Sequence, residues 1–422
     1  MNTSIDRTPF LLGVNYWPRR KSMYWWSRFD AVEVDEDFAL MAALGLKVVR
    51  VFLLWDDFQP EPASVDRAVL AHLVETADLA AKHHLVLDVT FFTGHMSGPN
   101  WAPRWMLTKD EHFPSPYFAW VRQVISRGTV VLHGNYLNMF NDPVALKAEQ
   151  LLLRTVVGAL KDHPAIYLWN LGNEPDLFAF PEDDAQGQDW TREMTRVVQE
   201  IDSIHPVTVG LHSADLYGNT GLRADRIFAE TPVAVMHAYP MYCDWALGPL
   251  DPDFVPFMTA LTAALCGKPV LMEEFGGCTS LPGHGSETWT WTGYDSERKQ
   301  FMASEEAFAE YIRQVLPNIQ AVGSTGAFIW CFADYAPELW AMPPCCDSWH
   351  ERHFGLVRPD GSLKPHAEVL KQFAATGPKV SPIPDYARFP GLTGSDFYNQ
   401  RLYEKLPAMY QQYLERRNRT HR

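Results

Sequence analysis

The sequence predicts an α/β fold, a (β/α)8 barrel with long loops after its strands and a helical extension at the C-terminus. Two observations support this fold class. Short apolar runs recur eight times along the 422 residues. The segments between the runs carry apolar residues at steps of three and four, which is typical of amphipathic helices. Eight strands that alternate with helices favour a closed parallel barrel with the helices outside.

The apolar runs are the predicted strands, and each is short enough for a strand that is buried on both faces of a parallel sheet. In chain order they are Phe10–Val14, Lys47–Val51, Leu85–Phe91, Ala165–Leu171, Pro206–Leu211, Val233–Met236, Pro269–Met272 and Gly326–Ile329. The predicted outer helices include Asp35–Ala43, Val65–Lys82, Val144–Lys161, Trp190–Ile204, Pro256–Leu265 and Glu305–Leu316.

Three predicted strand-to-helix connections are much longer than the few residues that are usual in such folds. They are Phe92–Asp142, Phe275–Ser304 and Cys331–Lys364. Loops of this length are usually functional. Their tryptophans are Trp101, Trp105, Trp120, Trp289, Trp291, Trp340 and Trp349. Because each loop follows a strand, all three should open on the same face of the barrel and wall a pocket there.

We expect two regions in the chain, a barrel over residues 1–375 and a C-terminal region over residues 376–422. The second region begins with a proline-rich stretch, which should be extended. Apolar residues at helical spacing follow it, and they are Phe397, Leu402, Leu406, Met409, Tyr410, Tyr413 and Leu414. We expect this amphipathic tail to pack on its own barrel. A contact between the subunits of a homo-oligomer is the alternative.

The composition restricts the class of partner. A formal net charge of −15 repels nucleic acid and anionic membranes, so a neutral ligand fits better. The start Met1–Arg7 lacks the basic and apolar regions of a signal peptide, and no apolar stretch is long enough to span a bilayer. We therefore expect a cytoplasmic protein that contacts no membrane.

The six cysteines predict neither a disulfide framework nor a metal site. In the cytoplasm they would stay reduced. Cys345 and Cys346 can be imagined as zinc ligands together with Cys278, His350 and His353, but no CxxC spacing supports that site. We expect no metal and no cofactor.

Two short segments that follow apolar runs carry the chemistry. One is Asn173-Glu174-Pro175, and the other contains the adjacent pair Glu273 and Glu274. Hydrolysis of a glycosidic bond needs one carboxylic acid and one carboxylate on opposite sides of the sugar, and carboxyl ends of barrel strands bring such groups together. Arg50 stands near the end of the earlier run Lys47–Val51 and is placed to keep a carboxylate ionised. The pattern predicts a retaining glycosidase.

The second segment leaves an ambiguity. Neighbouring side chains on a strand point to opposite faces, so only one of Glu273 and Glu274 should look into the barrel mouth. The residues alone do not choose between them.

The order of the motifs resembles that of clan A retaining glycoside hydrolases, most closely glycoside hydrolase family 5. The resemblance extends over the whole barrel, from Gly13 to Val357. The motifs that carry it are Arg50, His95, Asn173-Glu174-Pro175, His237-Ala238-Tyr239, Glu274-Phe275-Gly276 and Trp330. It implies a TIM barrel enzyme that uses two glutamates and needs no cofactor.

The resemblance also implies a role for each residue. Glu174 would be the acid/base and Glu274, rather than Glu273, the nucleophile. Of the substrate-binding residues, Asn173 would bind the sugar 2-hydroxyl, Arg50 and Tyr239 would hold the nucleophile, and His237 would tune the acid/base. His95 would bind the sugar in the innermost subsite, and Trp330 would form its apolar floor.

These features predict an exo-acting retaining β-glycosidase that hydrolyses short β-linked oligosaccharides. A β-mannosidase is the first choice by resemblance. An endo-β-1,4-mannanase or a cellulase with an open cleft is the alternative within enzymes. The alternative from another class is a catalytically silent carbohydrate-binding barrel.

Overall fold

The computed structural model describes residues 8–108, 123–132 and 135–420, and within them all eight predicted strands are confirmed. They are β1 (Leu11–Asn15), β2 (Val48–Leu54), β3 (Val86–Thr93), β4 (Ile166–Asn173), β5 (Val207–Gly210), β6 (Ala234–His237), β7 (Val270–Gly276) and β8 (Gly326–Trp330). Every strand pairs in parallel with its neighbours, in the order β5-β4-β3-β2-β1-β8-β7-β6. The (β/α)8 fold is therefore confirmed.

The barrel closes between β5 and β6 through residues that follow β5. The His237 N–H donates to the Leu211 carbonyl, and the Ser213 N–H donates to the His237 carbonyl, both at 2.9 Å. This closure places His212 beside His237 at the carboxyl ends of the strands.

In the described residues, one helix follows each of the eight strands. These helices are α1 (Ala31–Ala43), α2 (Arg67–Lys82), α3 (Pro143–Leu160), α4 (Asp184–Gln199), α5 (Ala224–Ile227), α6 (Phe254–Cys266), α7 (Glu305–Ala321) and α8 (Pro365–Ala375). Additional single turns of α-helix are Trp55–Phe58, Pro175–Phe178, Ala214–Tyr217, Gly394–Phe397 and Gln400–Tyr403. The six predicted helices are present, but α4 begins six residues earlier than predicted. Its N-cap is Asp183, whose carboxylate accepts the Ala185 and Gln186 N–H groups at 2.9 and 2.8 Å.

The three long loops carry small structures of their own. The loop after β7 forms a β-hairpin from Glu287–Gly293 and Ser296–Met302. The loop after β3 contains a small sheet of Asn100–Trp101, Gln123–Ser126 and Thr129–Leu132, and the loop after β8 contains 3-10 turns. Trp120 lies outside the described residues.

The C-terminal tail lies on its own barrel. Its last helix, α9 (Leu406–Thr420), places Tyr410 against Phe257 of α6, with ring centroids 5.0 Å apart. The Tyr410 hydroxyl donates to Asp251 at 2.6 Å, and Arg417 pairs with Asp253. Tyr410 is fully buried by these contacts. A homo-oligomer through the tail stays a prediction.

Replacement of Tyr410 by alanine tests whether the tail is part of the folded unit. We expect Tyr410→Ala to lower the free energy of unfolding by about 3–5 kcal/mol, because a buried aromatic ring and its hydrogen bond are lost. Thermal and denaturant unfolding would measure this, with exposed Gln411→Ala as the control. A loss that comes with a change of oligomeric state on gel filtration would instead indicate a subunit contact.

No helix in the described ranges is both long enough and apolar enough to cross a membrane. The cytoplasmic location stays a prediction.

Candidate active site

The two candidate glutamates meet at the carboxyl ends of β4 and β7. Glu174 follows β4 with a left-handed backbone (φ 45°), and Glu274 lies within β7. Both line a cavity of about 500 Å³. One carboxylate oxygen of Glu174 and one of Glu274 lie within 4.8 Å of each other and of a His237 ring nitrogen. The structure thus brings together the two carboxylates that the sequence singled out.

A β-bulge explains how two adjacent glutamates both reach the barrel interior. Met236 pairs with Met272, but the next residue, His237, pairs with Glu274, so Glu273 is an extra residue in β7. Strict alternation of side chains, which the sequence analysis assumed, therefore does not hold here. Glu274 lines the cavity, whereas Glu273 is fully buried and accepts a hydrogen bond from Asn170 at 2.9 Å.

Arg50 holds the carboxylates in place from the barrel interior. Its guanidinium is fully buried and donates to Glu274, and its Nη2 lies 3.3 Å from Glu273. It also donates to the Asn173 side-chain oxygen at 3.0 Å and to the Thr90 hydroxyl at 2.8 Å. A buried cation with several fixed acceptors keeps nearby carboxylates ionised and immobile.

Tyr239 completes the surroundings of Glu274. Its hydroxyl donates to Glu274 Oε2 at 2.9 Å. A carboxylate that accepts from both a guanidinium and a phenol is held in one orientation.

Two histidines surround Glu174. His237 Nδ1 lies 2.9 Å from Glu174 Oε1, and its Nε2 lies 3.0 Å from Glu273. His212 Nδ1 lies 3.9 Å from Glu174, and its Nε2 lies 2.9 Å from Asp176. Because both nitrogens of each ring face carboxylates, both rings are suited to carry two protons.

The pKa directions follow from these contacts. Burial opposes a charge on His237, but its carboxylate neighbours outweigh burial and raise its pKa to about 9. Burial likewise opposes a charge on His212, while Asp176 and Glu174 raise its pKa to about 10. Burial favours neutral Glu174, yet the two imidazoliums prevail and lower its pKa to about 2. Burial raises the pKa of Glu274 despite His237 and Arg50, and the charge of Glu174 adds to the increase.

These directions differ from the expectation that the acid/base carboxyl would hold its own proton. Because the pKa of His237 is raised and that of Glu174 is lowered, we expect the shared proton on His237 at neutral pH, with Nδ1 2.9 Å from Glu174. The pair therefore stores one proton that can move onto Glu174 when negative charge develops beside it.

The remaining sequence candidates also reach the cavity. The cavity is lined by His95, Asn173 and Trp330, and all three side chains are buried. His95 Nδ1 lies 2.7 Å from the Asn100 side-chain oxygen, which fixes its ring. The Asn173 amide donates to the His95 carbonyl at 3.4 Å.

Three groups at the site are not among the site residues predicted from the sequence, and they are His212, Asp176 and Glu351. Glu351 lines the cavity as a third carboxyl. The signal in the sequence for Asp176 and His212 was their position shortly after predicted strands, whereas Glu351 had only its place in the long loop Cys331–Lys364.

Two groups of side chains have the spacing that a metal ion would accept. They are Glu174, His237 and Glu274, and Asp176, His212 and Asp215. In both groups the histidine lies within ion-pair distance of a carboxylate, at 2.9 Å. Neither of the two such groups in the described residues contains a cysteine, which leaves the imagined zinc site without support.

The chain is similar to proteins named mannan endo-1,4-beta-mannosidases. The chain is 27% identical over 275 residues to mannan endo-1,4-beta-mannosidase 3 of Oryza sativa subsp. japonica, covering 57% of this chain and 54% of the relative. A match to mannan endo-1,4-beta-mannosidase 4 of the same plant is 32% identical over 146 residues and covers 29% of this chain and 31% of the relative. The chain thus spans between about a third and a half of the length of these relatives.

Solved structures share the fold. Exo-beta-1,4-mannosidase Op5Man5 from Opitutaceae bacterium strain TAV5 is 26% identical with a TM-score of 0.69, over 87% of this chain and 60% of that one. The GH5_18 protein from Bifidobacterium longum subsp. longum is 20% identical with a TM-score of 0.71, over 89% of this chain and 81% of that one. The latter identity shows the fold alone.

A family match gives the broader assignment. Residues 121–376, more than half of the chain, match the family described as "Glycosyl hydrolases family 2, TIM barrel domain". The order of the motifs, by contrast, resembles that of glycoside hydrolase family 5. The matched region includes β4 to β8 and both candidate glutamates. The chain therefore belongs to the TIM-barrel domain family of glycosyl hydrolases family 2.

Proposed function

We propose that the chain is a retaining exo-β-mannosidase of the family 5 type that acts on short β-1,4-linked oligosaccharides. The observation that carries this proposal is the approach of the Glu174 and Glu274 carboxylate oxygens to within 4.8 Å. Retaining glycosidases hold their two carboxyls about 5–5.5 Å apart, whereas inverting enzymes need about 6.5–9.5 Å to admit a water. The spacing supports retention.

In the proposed reaction the Glu274 carboxylate attacks the anomeric carbon while the bond to the leaving oxygen breaks. Glu174 delivers to that oxygen the proton it shares with His237. A water, deprotonated by Glu174, then attacks the glycosyl–Glu274 ester and releases the sugar with its original configuration. Arg50 and Tyr239 stabilise the Glu274 carboxylate when it leaves.

The cavity wall supports exo action. Tyr294 of the β7 hairpin contacts Ser348 of the β8 loop at 2.9 Å through their hydroxyls. Gly98 of the β3 loop fits between them, since a Cβ there would lie 2.5 Å from the Ser348 hydroxyl and 2.7 Å from that of Tyr294. Three loops thus meet on one side of the cavity, which leaves room for one end of a chain rather than for a polymer that runs through.

The choice of mannose rests on the relatives. Op5Man5 is named an exo-beta-1,4-mannosidase, and a GH5_18 structure is titled as a complex with Manb1-4GlcNAc. The curated relatives are named endo-enzymes. An endo-β-1,4-mannanase is therefore the second candidate, and the closed wall argues against it.

An activity panel tests the proposal. p-Nitrophenyl β-mannoside, β-glucoside, β-galactoside and β-xyloside would be assayed beside mannobiose, mannan and carboxymethylcellulose, with products separated by chromatography. Release of mannose from the short substrates, with the β-anomer appearing first by NMR, is expected. Oligosaccharides released from mannan alone would establish the endo-enzyme, and binding without hydrolysis would point to a silent barrel.

The charge on His212 gives a pH prediction. His212→Gln removes a cation 3.9 Å from Glu174, so the Glu174–His237 pair should hold its proton more tightly. We expect the basic limb of the kcat/KM profile to move up by about 1 pH unit, because that limb reports loss of the proton that is donated. Exposed His284→Gln is the matched control. A downward move, or none, would contradict the role given to His212.

A further inference from the structure

Glu351 is a third carboxyl in the cavity, and no step of the proposed reaction uses it. It lies in the 3-10 turn Trp349–His353 of the loop after β8, is 8% exposed and lines the cavity together with Trp330 and Ser97. Its Oε2 atom is buried and has no hydrogen-bond partner in the described part of the chain. A buried acceptor in this state costs free energy unless a ligand satisfies it.

Glu351 also differs from the other carboxyls of the site in its counter-ions. Arg50 contacts Glu273 and Glu274, and His237 contacts Glu174. Among the described residues, the basic group found within ion-pair distance of Glu351 is His350, whose Nε2 lies 3.4 Å away. Burial lowers the pKa of His350 to about 3, so this ring is neutral and supplies no charge.

The surroundings of Glu351 leave its carboxyl with too few hydrogen-bond donors to stabilise a charge. Burial raises the pKa of Glu351 to about 7, and the charges of Glu274 and Glu174 add to the increase. Ser97 and Trp330 oppose the shift, although neither makes a hydrogen bond of normal geometry with Oε2. His350 Nδ1 is also buried without a partner, on another residue that lines the cavity. Two adjacent residues that line the cavity therefore each carry a buried polar atom without a hydrogen-bond partner.

We propose that Glu351 binds hydroxyl groups of the sugar in the innermost subsite and makes that subsite selective for neutral over anionic sugars. This inference rests on the proposed function. Hydroxyls donate to a carboxylate and would supply the missing partners. A uronic acid would bring a second negative charge close to Glu351, which has no charged basic group within ion-pair distance among the described residues, and two buried like charges repel strongly.

Deoxy substrates separate this role from a merely structural one. Wild type, Glu351→Ala and Glu351→Gln would be compared on the best aryl β-glycoside of the panel and on its 3-, 4- and 6-deoxy analogues. We expect Glu351→Ala to lower kcat/KM on the parent by about 10- to 100-fold, mostly through KM. For wild type, one deoxy analogue should have a much lower kcat/KM than the parent substrate. For Glu351→Ala, the same analogue and the parent should have similar kcat/KM values, because the contact to that hydroxyl is already absent.

The effect of the Glu351 charge on substrate choice is tested with the aryl β-uronide that corresponds to the neutral aryl β-glycoside. Glu351→Gln should raise activity on the uronide relative to the neutral glycoside, while it keeps part of the activity on the latter. Exposed Glu338→Ala, in the same loop, is the control for general effects on the loop. Unfolding curves of each variant check that the fold is intact.

The outcomes distinguish this inference from the function on which it rests. If each deoxy analogue lowers kcat/KM by the same factor in wild type and in Glu351→Ala, the binding role of Glu351 is overturned. Variants of Glu351 that behave like Glu338→Ala would also overturn it and leave the glycosidase standing. If wild type hydrolyses nothing, the proposed function fails. Calorimetric binding of mannose and its deoxy analogues to wild type and Glu351→Ala then decides whether Glu351 binds sugar hydroxyls.

Discussion

Replacement of Glu274 by alanine should lower kcat on an aryl β-glycoside by about 10⁴-fold or more while the protein still binds the substrate. The reason is that no other carboxylate of the site takes its place. Glu274 lines the cavity and is oriented by both Arg50 and Tyr239, whereas Glu273 is fully buried against Asn170. Steady-state kinetics and calorimetric binding of the substrate would measure the two effects separately.

Chemical rescue makes the test specific. Azide is small enough to enter the space left by Glu274→Ala and can attack the anomeric carbon from the same side. It should restore turnover and give a glycosyl azide of inverted configuration. Glu273→Ala is the matched control, since it also loses a carboxylate from Arg50 but opens no space in the cavity. Normal turnover by Glu274→Ala, or azide rescue of Glu273→Ala, would overturn the assignment of the nucleophile.

The barrel could be predicted from the sequence because its strands are buried on both faces. A fully buried strand leaves an unbroken apolar run, and all eight runs were strands within a few residues. The ends of helices were less predictable. The start of α4 depends on the Asp183 cap rather than on the apolar spacing that begins near Trp190.

The site was predictable where a residue stands at the end of an apolar run, as Arg50, Glu174 and Glu274 do. The β-bulge in β7 was not, since it depends on how β7 pairs with β6 and β8 and leaves no mark on the local pattern. The Asp176–His212 pair was missed for a related reason. Its members are 36 residues apart and meet because the strands that precede them, β4 and β5, pair with each other in the barrel.

Glu174→Ala should have an effect that depends on the leaving group. For an alkyl glycoside, whose leaving oxygen needs a proton, we expect kcat/KM to fall by about 10²–10⁴-fold. For 2,4-dinitrophenyl β-mannoside, whose phenolate leaves without a proton, the first step should stay close to the wild-type rate. The second step still lacks its base, so a burst of phenolate should precede slow turnover.

The size of that burst decides between two explanations of an inactive variant. Glu174 has a left-handed backbone held by the hydrogen bond from its N–H to the Gly210 carbonyl at 2.9 Å, so alanine at this position risks distortion of the strand end. Glu174→Gln keeps the shape and is the matched control for distortion. A burst of phenolate in both variants, with an amplitude equal to the enzyme concentration, would show that Glu274 is intact and forms the ester. The ester would then hydrolyse slowly because the base is absent. Equal losses on every leaving group, with no burst, would remove Glu174 from the role of acid/base.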